Sequence, residues 1–413
     1  MAMVIPGVSY KDALLSQTSN DDPVTMPLFI GYTLPDTDIQ VTDMQLVCVG
    51  SLTQAISYFG IRETLAYSLR HFFENGGLQC YVLSLGRGEK EPISRLASLI
   101  AALQTPQILD ILLADDKTGL LLVPELSELN DVLSSSLSAE SMDGGVFDVA
   151  SLWYQGWTAV LTLCRKSRQR FALLELPEDL VQAATLIQQP FSVDLCQRGA
   201  AWWPRLETSY KDEASVPILL SPLPAVAAAI QRSAHDKGIW KAPANIPLAK
   251  TLRPTKSILK YQGLLDSKGV SCNLIRSFVG KGIRLWGCRT LFNGGELSGR
   301  YIQTRLLLNS VELYLSKLAR AYLFEPNNAQ TWMKLKGQIL AWLRQQWLTG
   351  AFLGAVEEEA FSLSIGLNET MSEDDIHNGK MILQVRLALL APAEFIDISL
   401  TLDLRDGTTS ARN

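Results

Sequence analysis

The residues best able to do chemistry in this chain do not stand at the spacings that chemistry needs. Ser257 and Lys260 satisfy S-x-x-K, in which a lysine activates a hydroxyl nucleophile, but the S-D-N and K-T-G companions of that motif are missing. Gly280-Lys281-Gly282 has the residue types of a phosphate loop without its G-x-x-x-x-G-K-S/T spacing, and Gly280, Gly282 and Gly287 do not fit G-x-G-x-x-G. Neither H-E-x-x-H nor G-x-S-x-G occurs. Cys48, Cys80, Cys164, Cys196, Cys272 and Cys288 are widely scattered with no C-x-x-C, which reads as buried free thiols in a reducing compartment rather than a metal site or disulfide framework. His71 sits beside Phe72 and Phe73 and reads as structural or surface. Glu357-Glu358-Glu359 reads as a solvated loop, with a cation site as its alternative. Arg165, Lys166, Arg168 and Arg170 read as a helix C-terminus complementing its dipole, with an anion or partner site as the alternative. No constellation meets the requirements of a catalytic site in outline. The expectation is a protein that is not an enzyme and has no cofactor and no metal; a hydrolase built on Ser257 and Lys260 is the competing reading.

What the chain does carry is a stretch, 235–291, of small and rigid residues at fixed offsets: Gly238, Trp240, Pro243, Asn245, then Gly269, Arg276, Gly280, Gly282, Trp286, Gly287 and Arg289. Glycines permit tight turns and close backbone approach, and tryptophans bury large areas. These residues suit packing and assembly better than turnover. The bulk numbers agree. At 413 residues the chain is too long for one ordinary core. It is 47% hydrophobic, only 19% charged and carries a net charge of −5. The charge is spread along the chain, which argues against nucleic acid as main partner; the apolar content fits a subunit that hides surface in an oligomer. The N-terminus has no basic and apolar leader pattern, and the longest apolar stretch, 216–230, is broken by Pro217, Pro222 and Pro224. Folding in the cytoplasm without membrane insertion is expected.

The elements that must hold these residues follow in order. Residues 1–33 read as an extended arm ending in Met26–Thr33. Residues 51–85 read as helix, helix, strand, with Ser51 as a cap, Leu65, Leu69, Phe72 and Phe73 at helical spacing, and Asn75-Gly76-Gly77 as the stop. Residues 90–200 read as an α/β continuation, with strands at 108–114 and 171–176 and a helix over 146–164. Residues 225–233 form an Ala-rich helix. In the helix over 301–323, Leu307, Val311, Leu315, Leu318 and Tyr322 share an apolar face, and Asn309, Glu312, Ser316 and Arg320 a polar one. The helix over 329–349 sets Leu335, Ile339, Trp342 and Leu343 on its apolar face and Lys334, Lys336 and Arg344 on a basic one. Strands then follow at 361–367, 381–390 and 394–404, the last alternating cleanly.

Several of these segments resemble one family. Asp236 to Asn245 (DKGIWKAPAN) resembles the G-x-W-x-A-P-A-N signature of contractile tail sheath proteins, and Leu285–Leu291 (LWGCRTL) its V-W-G-A-R-T-L. His71–Val82 (HFFENGGLQCYV) resembles A-x-x-F-F-x-N-G-G-x-x-C-Y-V. Phe324-Glu325-Pro326-Asn327 matches F-E-P-N, and Pro392-Ala393-Glu394-Phe395 the P-A-E-F that introduces the last strand. The opening resembles P-G-V-Y-x-x-E with an inserted Ser9 and with Asp12 for Glu. Residues 221–224 (SPLP) replace the family's V-P-P-S-G loop. The resemblance covers nearly the whole chain and is weakest between about 86 and 200.

The resemblance implies a mixed α/β, two-domain sheath fold with extended terminal arms that add strands to neighbouring subunits: 1–25 as N-terminal arm, 26–200 as an α/β domain, 201–393 as the sheath core and 394–413 as C-terminal strand and arm. Val4, Ile5, Val8, Phe395, Ile396, Ile398 and Leu400 are the candidate linking residues. Lys334, Lys336 and Arg344 are candidates for facing an inner tube. The implied function is a sheath subunit that polymerises as stacked hexameric rings around that tube and contracts to drive it through a target membrane. The alternative is a non-contracting collar or baseplate adaptor, or a minor paralogue in the same particle. Its partners would be copies of itself, the tube protein, and baseplate and terminal cap proteins. Assembly would occur in the bacterial cytoplasm, with the particle released afterwards.

Overall fold

The computed structural model describes residues 22–33, 43–132, 149–167, 169–256, 272–392, 399–403 and 408–412. Its centre is an eight-stranded sheet in the order β11-β10-β6-β5-β4-β1-β3-β2. The strands are β1 (Pro27–Gly31), β2 (Leu46–Val49), β3 (Cys80–Ser84), β4 (Leu120–Leu122), β5 (Phe171–Glu175), β6 (Gly199–Trp203), β10 (Asn273–Phe278) and β11 (Gly282–Trp286). The inner six run parallel. An antiparallel strand closes each side, β2 on β3 and β11 on β10.

Parallel strands are buried on both faces, and these read accordingly as near-continuous apolar runs. Their side chains still divide by period two. Leu28, Ile30, Leu121, Ala172, Leu174, Ala201 and Trp203 enter one core, against α3 (Pro92–Leu103), α4 (Pro106–Ala114), α5 (Val149–Lys166) and α6 (Leu180–Ile187). Phe29, Leu120, Leu122, Phe171, Leu173, Ala200 and Trp202 enter the other. That core is covered by α1 (Leu52–Phe59), α2 (Thr64–Glu74), α7 (Leu223–Lys237), α8 (Ile302–Ala321) and α9 (Ala329–Leu348). Burying a side chain such as Phe29 contributes about 1.5–3 kcal/mol. A three-stranded antiparallel sheet, with β7 (Leu206–Lys211) between β8 (Pro217–Leu220) and β9 (Thr251–Pro254), lies outside the main one. So does a two-stranded ribbon of β12 (Phe361–Ser364) and β13 (Gln384–Leu387). The backbones of β14 (Ser399–Asp403) and β15 (Thr408–Arg412) pair as a hairpin. Among the described residues no single helix is long and apolar enough to cross a membrane.

The helix, helix, strand reading of 51–85 matches α1, α2 and β3, and Ser51 accepts the Gln54 amide as the expected cap. Three expectations need correction. Residues 108–114 form a helix, not a strand: Thr105 and Pro106 start it, Ile108 and Leu112 are buried, and Leu113 is 57% exposed. Four-residue spacing decides burial there, and a Pro at the first helical position favours a helix start. Asn309 does not share an outer polar face. The first half of α8 is buried on all sides, and Asn309 accepts from Arg305 Nε at 2.8 Å and donates to the Gln169 carbonyl at 3.3 Å. Arg170 is not solvated with Arg165 and Lys166: it is buried, 2.8 Å from an Asp115 carboxylate oxygen. The main sheet also draws strands from both sides of position 200, since β10 and β11 extend it beyond β6.

Gly119 marks where chain entry and sheet meet. A Cβ there would lie 2.1 Å from the Val24 carbonyl oxygen, a backbone atom that cannot step aside. Gly119→Ala is expected to cost about 2–3 kcal/mol, read as a lower urea midpoint at unchanged slope; an unchanged midpoint would contradict this packing.

Candidate assembly surfaces

The motif residues turn out to be joints. Asn75 closes α2 and clamps a distant segment: its Nδ2 donates to the His71 carbonyl at 2.8 Å, and its Oδ1 accepts the Ala249 amide at 2.8 Å. Gly76 has φ +84°, and a Cβ on Gly77 would sit 2.4 Å from the Phe72 ring. Gln231 of α7 then accepts from the Leu78 amide at 2.8 Å and donates to the Gln79 carbonyl at 2.8 Å. The N-G-G turn therefore welds α2, β3, α7 and residue 249 together. His71 is buried beside Tyr210 and Asn75, and burial pushes its pKa down to about 4, so it stays neutral and structural.

The 238–248 segment closes the sheet edge. Gly238 leaves α7 at φ +94°, and a Cβ there would lie 2.4 Å from the Trp240 ring. The chain then runs along β11: Asn245 N–H donates to the Leu285 carbonyl at 2.7 Å, Leu285 N–H to the Ile246 carbonyl at 3.0 Å, and Leu248 N–H to the Ile283 carbonyl at 2.9 Å. Pro247, bridged to Arg284, lacks the N–H that a further strand would require. Gly287 (φ +119°) lets β11 pass the Asn273 side chain, which accepts the Arg289 amide at 2.8 Å.

An α/β sheet of this type usually binds ligands beyond the carboxyl ends of its strands, where strand order reverses. Here that point lies between β1 and β4, and Glu125 fills it. Both its carboxylate oxygens accept the Tyr32 amide, at 2.9 and 3.1 Å, and Arg95 Nη2 lies 3.4 Å away. A Cβ on Gly31 would touch this carboxylate. Burial, and then the charge of Glu128, push the Glu125 pKa up to about 8. Glu175, at the end of β5, is fully buried and is likewise pushed up to about 8, by burial foremost. Among the described residues no group of three or more His, Cys, Asp or Glu side chains is placed to hold a metal. Gly280 and Gly282 only turn the β10–β11 hairpin, at φ +72° and +73°. Ser257 and Lys260 lie outside the described residues.

The basic face of α9 is real but not uniformly free. Lys334 is exposed and Lys336 half-buried. Arg344 forms a bidentate pair with Glu357, Nε to Oε2 at 2.7 Å and Nη2 to Oε1 at 3.0 Å. The sequence places no acidic residue on the helix itself; the partner comes from the short helix Glu357–Ala360, which the sequence reads as a solvated loop. Of the candidate linking residues, Leu400 lies in β14, while Val4, Ile5, Val8, Phe395, Ile396 and Ile398 lie outside the described residues.

Among the described residues, Glu125 fills the crevice and the motif residues serve joints and edges. Comparison with known proteins gives the kind of protein. No protein-family model matches the chain, and no curated protein does. Among solved structures, it is similar to a chain of the anti-feeding prophage (AFP) baseplate in contracted state, at 74% identity and TM-score 0.85, over 98% of this chain and 100% of that one. It is also similar to the AFP helical sheath in contracted state, at 26% identity and TM-score 0.69, over 97% and 100%. The contracted sheath complex of PVC, an extracellular contractile injection system, matches at 25% identity and TM-score 0.68, over 98% and 99%. The chain belongs to the contractile tail sheath family.

The buried carboxylates set a pH dependence. Glu125 and Glu175 hold their protons to about pH 8 when folded, whereas an exposed Glu releases its proton near pH ~4.3. Stability from these groups is therefore fully present below about pH 4 and lost as pH rises toward about 8. Glu125→Gln combined with Glu175→Gln should be at least ~1 kcal/mol more stable than wild type at pH 9, with the gap closing toward pH 5. Parallel urea curves for the two proteins at all pH values would refute it.

Proposed function

We propose that the chain is a sheath subunit of a contractile injection particle, and that it forms the sheath layer next to the baseplate. One contrast carries the placement. Identity is 74% to a chain of the AFP baseplate structure but 26% to the chain of the AFP helical sheath. A subunit of the bulk sheath would be expected to resemble the helical sheath chain more. The bulk sheath remains the second reading, because the fold is the same in both.

In this reading the terminal segments 1–25 and 394–413 are linking arms. Their acceptor is the β12–β13 ribbon. A two-stranded sheet is marginal alone, and added strands would each bring several backbone hydrogen bonds, worth ~0.5–1.5 kcal/mol net apiece. Such links bend without breaking while the cores rotate between two packings. Strands and helices from both sides of position 200 build the doubly wound body, and the later part of the chain adds the ribbon and α9. Lys334, Lys336 and Arg344 face the inner tube, with Arg344 held in place by Glu357. The work of contraction is stored in an extended lattice at assembly, a few kcal/mol per subunit on the order of a modest interface change. The chain's partners are copies of itself, the tube, and baseplate proteins, assembled in the cytoplasm before release.

Copy number in purified particles tests the placement: about six to twelve copies for one or two closed cyclic layers, against many more for the bulk sheath. Deleting 394–413 should leave a folded, soluble body that no longer polymerises; normal assembly from that truncation would remove the arm from the account. Lys334→Glu with Lys336→Glu should weaken binding to the tube by tenfold or more, about 1.4 kcal/mol, in a co-sedimentation assay. Unchanged tube binding would exclude α9 as the tube-facing helix.

A further inference from the structure

Two surfaces of opposite charge, each with an apolar tip, lie at the β10–β11 hairpin and at the turn between α8 and α9. One surrounds the β10–β11 hairpin. Val279 at its tip is fully exposed and Leu252 of the adjoining β9 is 54% exposed. Lys281, Lys250 and Arg253 are exposed around them, with Arg276 and Arg284 half-buried on the hairpin strands. Glu207, paired with Arg253 at 2.7 Å, is the carboxylate that offsets them. The other surface surrounds the turn between α8 and α9. Phe324 stands fully exposed and Leu323 is 63% exposed, with Leu367 and Ile382 also exposed beside them. Glu325 on the turn and Glu369, Glu373 and Asp374 on the segment it touches are exposed, with Lys380, 3.8 Å from Asp375, as the cation that offsets them. Asn327 Nδ2, donating to the Lys380 carbonyl at 3.0 Å, fixes the turn to that segment.

The two surfaces leave the sheet at opposite ends: the hairpin tip follows the carboxyl end of β10, whereas α8, which leads to Phe324, pairs through Lys317 with Asp116, ahead of β4, at 3.1 Å. Phe324 adds a mark of its own: a bulky side chain held at φ +70°. That backbone region is unfavourable for a non-glycine residue, and strain of this kind persists at functional positions.

We propose that the acidic, aromatic end of one copy docks on the basic hairpin of a second copy. Faces that leave the sheet at opposite ends cannot pair within a chain. They make a head-to-tail contact, which closes a ring or propagates a helix. Phe324 and Leu323 are the apolar anchor against Val279 and Leu252, and the carboxylates of Glu369, Glu373 and Asp374 face Lys281 and its neighbours. The inference rests on the reading of the chain as an assembling sheath subunit but makes its own contact, separate from the arms and from the tube.

The test uses full-length chain. Lys281→Glu and Glu369→Lys should each raise the concentration needed for self-association by roughly tenfold, and an equal mixture of the two should restore it. Phe324→Gly, which relieves the strained backbone, should keep or raise thermal stability while weakening association. Carbodiimide cross-linking of mixed ¹⁴N and ¹⁵N copies should join Lys281 to Glu369, Glu373 or Asp374 in mixed-label pairs. Absence of that cross-link, or single variants that associate like wild type, overturns the proposal. Sheath cylinders formed by wild type without the cross-link would sink this contact and keep the sheath reading; the cross-link without any cylinders would do the reverse.

Discussion

The constraint on which the rest depends is that six parallel strands must be covered on both faces. Helices between the strands cover one face completely, because α3 to α6 all pack there. The other face would be half open with α1 and α2 alone. It is closed by α7 and α8, which come from the second half of the chain, while α9 extends the same core toward the β12–β13 ribbon. The two halves are thereby tied into one body, and the strands β10 and β11 interlock them further. A body made this way is rigid, and a rigid body is what a lattice needs if it is to change its packing without changing its subunits.

Among the described residues, side chains occupy the strand ends where α/β proteins usually bind ligands. Glu125 and Glu175 stand at the strand ends with their carboxyls buried. Arg95 and Arg205 compensate part of their charge. A binding crevice would need room and solvent access at this point. Here the space is taken by hydrogen bonds that tie β1 to the turn after β4. The cost of burying these groups is carried by their protonation rather than by full pairing.

Several of these features were legible in the residues. The near-continuous apolar run at 171–175, the cap at Ser51 and the stop at Asn75-Gly76-Gly77 predict what forms there, whereas 27–31, read as the end of an extended arm, is a central strand of the sheet. The sheath motifs identify the family. Their physical roles were not legible: nothing in N-G-G says that Asn75 will hold residue 249, and nothing in A-P-A-N says that it will line β11. The three-residue β4 is too short to show a period. Residues 108–114 are apolar enough for either element, and only Pro106 and the burial of Ile108 and Leu112 decide for a helix. Glu175 did leave a signal, a lone carboxylate inside the apolar run 171–176. Arg170 left none, because its partner Asp115 is 55 positions away.

The proposed function requires that this body polymerise as a sheath around a tube. The most direct measurement is electron microscopy of the chain expressed with and without its cognate tube and baseplate proteins. The account predicts ribbed layers stacked on the tube from the baseplate upward, built from rings of this chain. Monomers alone, with bare tubes beside them under the same conditions, would contradict it.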